Sequence, residues 1–169
     1  TGVVAHVPFG EPTSPVLAKL AVQAMKAEKI KHKVGGTLVV MEGPQFSTRA
    51  ESELHSKLGA SLICMTAMPE AKLAREAELP FCAISMVTDF DSWLPHHEAV
   101  DVAKVVAVMK DNAEKAKRLV LRLASLMPRE HQVCAADTAL NRAVMTASGK
   151  RDRALLAKLD AVAKRIMTK

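Results

Sequence analysis

Apolar positions along the chain recur with two periods. After Ser14, Val16, Leu17, Leu20, Ala21 and Met25 return every three or four places, which predicts an amphipathic helix with Ser14 as its cap and Pro15 at its first position. Gly35-Gly36 then turns the chain into an unbroken apolar run, Thr37 to Met41, that reads as a buried strand. Gly43-Pro44 ends it. Thr48 and Glu51 have the spacing of a capping box, so a helix is expected to start near Arg49 and to stop at Gly59. Ala60 to Met65 predicts a second buried strand, Pro69 to Glu78 a short helix broken by Leu79-Pro80, and Phe81 to Val87 a third apolar run. A long helix from about Val102 to Leu126 carries Val105, Val106, Met109, Ala113 and Ala116 at helical spacing and ends before Pro128. Two shorter helices, about Ala139 to Thr146 and Arg153 to Ile166, complete the tail, and no internal repeat is evident. The order strand, helix, strand, helix, strand predicts an α/β fold in which a central, mostly parallel sheet is flanked by helices.

At 169 residues the chain is one domain's worth, long enough for a real core. Nearly half of it is apolar, yet no run reaches the length of a membrane span, and Thr1-Gly2-Val3-Val4 lacks the basic region of a signal peptide. Three cysteines cannot all pair. Cys64 and Cys82 fall within apolar strands, which suits buried thiols and a reducing, cytoplasmic location. The net charge of +6 raises nucleic acid as a partner, but aromatics are only 3% and basic residues alternate with acidic ones, so neither nucleic acid nor membrane is expected. Much of the excess lies in Lys150, Arg151, Arg153, Lys158, Lys164, Arg165 and Lys169, read as a solvated helix face.

In a parallel sheet, ligands collect outside the carboxyl ends of the strands. Three such ends carry polar or special residues: Phe46-Ser47, Met65-Thr66, and Thr88-Asp89-Phe90-Asp91. Phe46 is one of few aromatic residues and offers a flat face beside a hydroxyl; equally, it staples the helix entry and Ser47 is a spare cap. One residue separates Asp89 from Asp91, so in an extended segment their carboxylates point the same way. Such a pair binds a metal, shares a proton, or grips the donor edge of a heterocycle; the plainer alternative has Asp91 capping a turn toward Ser92 and Asp89 tethering the loop. No metal site is expected, because the adjacent histidines of His96-His97-Glu98 point apart on any regular element.

From Val4-Ala5-His6 to about Leu123 the sequence resembles the methylthioadenosine phosphorylases, trimeric members of the purine nucleoside phosphorylase family. Glu42-Gly43-Pro44-Gln45-Phe46-Ser47-Thr48-Arg49-Ala50-Glu51 matches the family's purine-site helix start. Cys64-Met65-Thr66 with Pro69-Glu70 matches its ribose and phosphate segment, and Thr88-Asp89-Phe90-Asp91 its base-recognition loop. The resemblance implies the later part of a purine nucleoside phosphorylase-like domain, with residues 1–127 in its body and 128–169 a helical tail. It implies phosphorolysis of 5′-methylthioadenosine to adenine and 5-methylthioribose 1-phosphate, in purine and methionine salvage, with inorganic phosphate as co-substrate and no cofactor. Asp89 takes the place of the group that gives a proton or hydrogen bond to the leaving adenine, a task that calls for a closed, poorly solvated pocket. Asp91 supports it, with Phe90 between them; Phe46 packs on the purine, and Ser47 lines the base pocket. Met65 sits at the ribose, and Thr66 bonds to phosphate and sugar. Val102 and Val105 shape the methylthio pocket, and His6 reaches it from a neighbouring subunit of a homotrimer. Relatives that act on 6-oxopurines carry Glu and Asn where this chain has Ser47 and Asp89, so the resemblance implies an amino-purine.

The sequence also departs from the family. The glycine-rich phosphate loop, an Arg-His pair and a further threonine have no counterpart, and Gly35-Gly36 precedes a strand rather than a helix. Thr66 alone remains for phosphate, so an N-terminal segment of the same enzyme is expected to complete that site. In the tail, Cys134 stands alone where some relatives have Cys-x-Cys, and Leu140 is the candidate for a pocket leucine. Two alternatives stay open: a non-catalytic module that binds adenine nucleosides, and a purine nucleoside phosphorylase or hydrolase of other specificity.

Overall fold

The structure is a computed structural model and describes residues 2–94 and 102–167. His96-His97-Glu98 lies outside the described residues. The chain divides into two compact units, one formed by Thr1–Ala18, Pro69–Ala83 and Pro128–Lys169, the other by Lys19–Met68 and Ile84–Met127. Helix α1 (Pro15–Ala27) runs across the boundary in sequence. Its start is held by Ser14, whose hydroxyl accepts from the Leu17 amide at 3.4 Å.

The second unit holds the sheet. Strand β1 (Thr37–Val40) pairs in parallel with β2 (Ala60–Cys64), with Leu38 opposite Leu62, Val39 opposite Ile63 and Val40 opposite Cys64. Helix α2 (Arg49–Lys57) makes the crossover that a parallel pair requires. Gly36 starts β1 at φ +112°, and a Cβ there would lie 2.7 Å from the Ser61 hydroxyl, so only glycine permits this close approach. Gly59, at φ +84°, ends the α2 crossover where a stop is expected. The long helix α4 (Val102–Leu126) has the limits predicted from its periodicity. Asn112 ties it to the segment before the Asp pair by donating from Nδ2 to the Val87 carbonyl at 2.9 Å. Arg122 and Arg118 both reach Glu28, just beyond α1, at 3.0 and 3.5 Å.

Phe81 to Val87 is not a strand. Among the described residues the sheet has two strands, and the third apolar run joins no ladder; a run acquires strand structure only when a neighbour supplies ladder partners. Cys82 therefore sits outside a strand, and all three cysteines are free and only half-buried, not enclosed in the core.

Helix α3 (Ala67–Glu76), in the first unit from Pro69 onward, starts two residues before Pro69 and ends two before Glu78. Its Arg75 is 8% exposed, donates to the carbonyls of Pro8 (2.7 Å) and Glu11, and lies 5.7 Å over the Phe9 ring. One buried cation thus fixes the lead segment. The predicted helix over 139–146 does not form. Ala135–Thr138 is a 3-10 turn, Arg142 adopts φ +61°, and Val144 forms an antiparallel bridge with Ala5, flanked by bonds from the His6 amide to the Ala143 carbonyl and from the Met145 amide to the Val4 carbonyl, both 2.9 Å. Pairing with a segment distant in sequence overrides the local periodicity. Ala136, Ala139, Leu140 and Ala143 form the buried core here, so Leu140 is a core residue. A 3-10 turn, Ser148–Lys150, precedes α5 (Arg153–Lys158) and α6 (Asp160–Met167), which replace the single predicted helix. Arg165 and Arg151 are not merely solvated. Arg165 donates to both Glu78 oxygens and to Asn141, and Arg151 to the Thr146 carbonyl at 2.9 Å. Burial favours a neutral Glu78, but the Arg165 bonds and charge, with a bond from the Leu140 amide, outweigh it and hold the carboxyl below its usual range.

Candidate functional site

The chain leaves β1 through Met41, turns at Gly43 (φ +71°) and reaches the start of α2 at Thr48. A Cβ on Gly43 would meet Met65 Sδ at 3.1 Å, so the exits of β1 and β2 lie side by side, as two neighbouring parallel strands require. The capping box is fully formed. Thr48 Oγ1 accepts from the Glu51 amide at 3.3 Å, while Glu51 Oε2 accepts from the Thr48 amide at 2.7 Å and its hydroxyl at 2.8 Å. These bonds to Thr48 hold the Glu51 carboxyl below its usual range. Phe46 is 84% exposed, so it does not staple the helix entry, and its face is open for stacking. Ser47 is half-buried and donates its hydroxyl to Met41 Sδ at 3.4 Å.

The Thr88–Asp91 loop comes against this helix start. Asp91 Oδ2 accepts from the Ser52 hydroxyl on α2 at 2.6 Å, and its Oδ1 accepts from the Ser92 amide at 2.9 Å. Ser92 Oγ donates to the Ser47 carbonyl at 3.3 Å, and the Trp93 amide donates to Ser52 Oγ at 3.1 Å. Asp89 Oδ1 instead accepts from the Thr88 hydroxyl at 2.6 Å. The segment bends at Asp89 and is not extended, so the two carboxylates take separate partners rather than one shared direction. Asp91 does cap the turn toward Ser92. Asp89 is exposed and Phe90 is 62% exposed, so the described residues of this unit do not enclose Asp89 in the closed pocket expected for it.

Met65 and Thr66 follow β2 directly, Met65 half-buried and Thr66 exposed. Val105 is half-buried on the first turn of α4; Val102 begins that helix, and its side chain lies outside the described residues. His6 is exposed and belongs to the other unit. An open hollow of about 220 Å³ lies further along α4, lined by Met86, Thr88, Met109, Asn112, Ala113 and Ala116, and contains none of the expected site residues. Among the described residues, no group of three or more His, Cys, Asp or Glu side chains is arranged to hold a metal ion, and no helix is long and apolar enough to cross a membrane.

Two contributors went unread in the sequence: Ser52, the partner of Asp91, and Met41, the partner of Ser47. Ser52 is the buried residue of α2, a small side chain amid mostly exposed ones. That contrast marks where a helix backs onto something, but not what it meets.

The family model of the phosphorylase superfamily matches residues 2–125. The S-methyl-5′-thioadenosine phosphorylase of Bradyrhizobium diazoefficiens is 53% identical over 168 residues, which is 98% of this chain and 58% of that protein. The protein of the same name from Cereibacter sphaeroides is 48% identical, with 99% and 58% covered. The chain thus spans less than two thirds of the length of these relatives. Among solved structures, a methylthioadenosine phosphorylase from an Antarctic soil metagenomic library superposes with a TM-score of 0.87 at 36% identity, over 95% of this chain and 57% of that one. The Schistosoma mansoni methylthioadenosine phosphorylase in complex with adenine gives 0.73 at 28% identity, over 85% and 57%. With its parallel sheet, its α2 crossover and a family match running from the lead segment almost to the end of α4, the chain belongs to the phosphorylase superfamily.

Proposed function

We propose that this chain forms the nucleoside-binding part of an enzyme that cleaves 5′-methylthioadenosine with inorganic phosphate, releasing adenine and 5-methylthioribose 1-phosphate, and so serves purine and methionine salvage. The observation that carries the reading is the union of α2 and the segment before it, bearing Phe46 and Ser47, with Asp91 and the Ser92-Trp93 turn that follows through three side-chain hydrogen bonds. A stacking face and an ionisable acceptor thereby stand together at the carboxyl end of a parallel strand pair, beside Met65 and Thr66. The relatives' shared name supports the substrate, and the adenine bound to the Schistosoma protein supports the base.

In the reaction, a phosphate oxygen bonds to the anomeric carbon as the bond to adenine breaks, and the electron pair leaves with the base. Asp89 donates a proton or hydrogen bond to the imidazole nitrogen of that base, Asp91 accepts from its amino edge, and Phe46 stacks on its face. Thr66 bonds to phosphate and ribose, and Met65 packs on the sugar. Val102 and Val105 offer an apolar seat to the methylthio group, and His6 completes the pocket of a neighbour in a homotrimer. No cofactor enters this scheme, and the free cysteines suit a cytoplasmic location.

A phosphate dianion needs several donors, backbone amides or a cation, and Thr66 is one hydroxyl. The remaining groups are assigned to a further segment of the enzyme, in keeping with the 58% of the relatives' length that the chain spans. The test is to purify the 169-residue chain and assay methylthioadenosine consumption with phosphate, alone and with a companion segment carrying a glycine-rich phosphate loop. Adenine and the sugar phosphate should form only in the mixture. Activity from the homogeneous chain would overturn the divided phosphate site; no adenine binding in either sample would overturn the nucleoside reading. The solvent exposure of Asp89 favours a second reading, a module that binds adenine nucleosides without cleaving them. Binding of adenine with no turnover in the mixture would establish it.

A further inference from the structure

Ser52 is 1% exposed, in a helix whose other residues are mostly polar and mostly exposed. A serine hydroxyl has one proton to give and lone pairs to accept. Ser52 uses both, giving the proton to Asp91 Oδ2 at 2.6 Å and accepting from the Trp93 amide at 3.1 Å. The direction of the O–H is therefore fixed. Asp91 is fixed in turn, because its other oxygen accepts from the Ser92 amide at 2.9 Å. Ser92 closes the set by donating to the Ser47 carbonyl at 3.3 Å. Both oxygens of Asp91 are thus oriented by donors, and the lone pairs left over point in set directions.

We propose that Ser52 is a positioning residue, whose buried hydroxyl clamps Asp91 and the Trp93 turn onto α2 and thereby sets the acceptor that selects an amino-bearing over an oxo-bearing purine. The proposal deepens the purine reading and rests on it. An aimed, ionised carboxylate accepts from an exocyclic amino group and has nothing to donate to an oxo group. A carboxylate free to rotate discriminates less, since it can turn away from the oxo group and pair with water. Alanine at position 52 removes the proton from Asp91 and the acceptor from the Trp93 amide while leaving the volume nearly unchanged. The consequence falls on orientation, not on packing.

Trp93 is the one tryptophan in the chain and is 40% exposed, so its emission reports on this turn without a label. The test compares the full chain with Ser52→Ala. In the absence of ligand, acrylamide quenching of Trp93 should rise at least twofold in the variant. By isothermal titration, adenine affinity should fall tenfold or more and hypoxanthine affinity less than threefold. Equal losses for the two bases would overturn the positioning role and leave Ser52 a packing residue. Unchanged quenching would overturn the clamp. Should Ser52→Ala fail to fold, exchange of the Trp93 backbone amide in the parent, followed by NMR, decides the clamp: protection supports it, and exchange at the free rate refutes it. A parent that binds neither base overturns the purine reading and the selectivity with it, while quenching and amide exchange still judge the clamp separately.

Discussion

The start of α2 depends on one local device, and Thr48→Ala tests how much. The helix has nine residues and buries only Ser52, so neither length nor an apolar face secures it. Thr48 contributes a hydroxyl that accepts from the Glu51 amide at 3.3 Å and donates to the Glu51 carboxylate at 2.8 Å, while its amide donates to the same carboxylate at 2.7 Å. Alanine keeps only the last of these. Losing a cap of this kind costs about 1 kcal/mol, or roughly a fivefold change in the unfolding equilibrium.

The pH dependence separates the two halves of the device. Glu51 is held below its usual range by its bonds to Thr48, so its share of the stability is present above its unfolded value, roughly pH 4.3, and is lost as pH falls through the folded value. Parent and Thr48→Ala should therefore differ most near neutrality and converge in acid. Glu51→Gln, which keeps an acceptor but no charge, should lose less at pH 7 and show a flatter profile. Urea unfolding followed by Trp93 emission provides the assay, because the Trp93 amide is bonded to Ser52 on the same helix. A Thr48→Ala midpoint equal to the parent's at pH 7, or a difference that persists undiminished at pH 3, would refute the reasoning.

Asp89→Asn in the enzyme completed by its companion segment should lower methylthioadenosine turnover at least tenfold and raise relative use of the 6-oxo analogue; equal turnover would remove Asp89 from the chemistry. Light scattering on the active enzyme should give a homotrimer, three chains of 18.2 kDa together with their companions, and a fully active single copy would detach His6 from a neighbour's pocket. Glu78→Gln should destabilise the chain at pH 7 and have a shrinking effect below the usual carboxylate range, since the folded carboxyl is held low by Arg165 and the Leu140 amide against the opposing pull of burial; thermal melts at pH 7 and pH 3 measure it. Burial pushes the Cys82 thiol above its usual value, so its alkylation at pH 8 should lag that of a free thiol peptide, as intact-mass kinetics will report.

What could be read from the sequence divides by the range of the interaction. The Thr48–Glu51 box, the Gly59 stop and the limits of α4 depend on neighbours three or four residues away, and the structure has each where the pattern puts it. Phe81 to Val87 depends on a partner that local composition cannot supply, and so an apolar run reads as a strand where the structure has none. Ala139 to Thr146 has helical periodicity but is captured by the lead segment, where Ala5 bridges Val144 across most of the chain. The same limit applied at the candidate site. Phe46, Ser47 and the Asp pair stand out by residue type, whereas the bond from Ser52 to Asp91 spans 39 residues, and neither segment names the other as its partner.

That long-range bond also indicates what maintains the site. The fully buried apolar residues are largely alanines, with Leu119 and Leu140 among the few larger ones, while Leu54, Leu58, Val106, Met109, Val120 and Leu121 remain exposed among the described residues. Alanines bury little area each, so packing alone exerts a weak hold on loop positions. Asp91, Ser92 and Trp93 are held to α2 and the segment before it by three directional hydrogen bonds, two of them on the Ser52 hydroxyl. A net hydrogen bond is worth about 1 kcal/mol, but it fixes direction as area does not. Changes at Ser52, Asp91 and Ser92 should accordingly alter ligand discrimination before they alter unfolding, whereas changes at Leu119 or Leu140 should do the reverse. The two groups of residues support different properties of the same chain, and the proposed ligand discrimination depends on the hydrogen-bonded one.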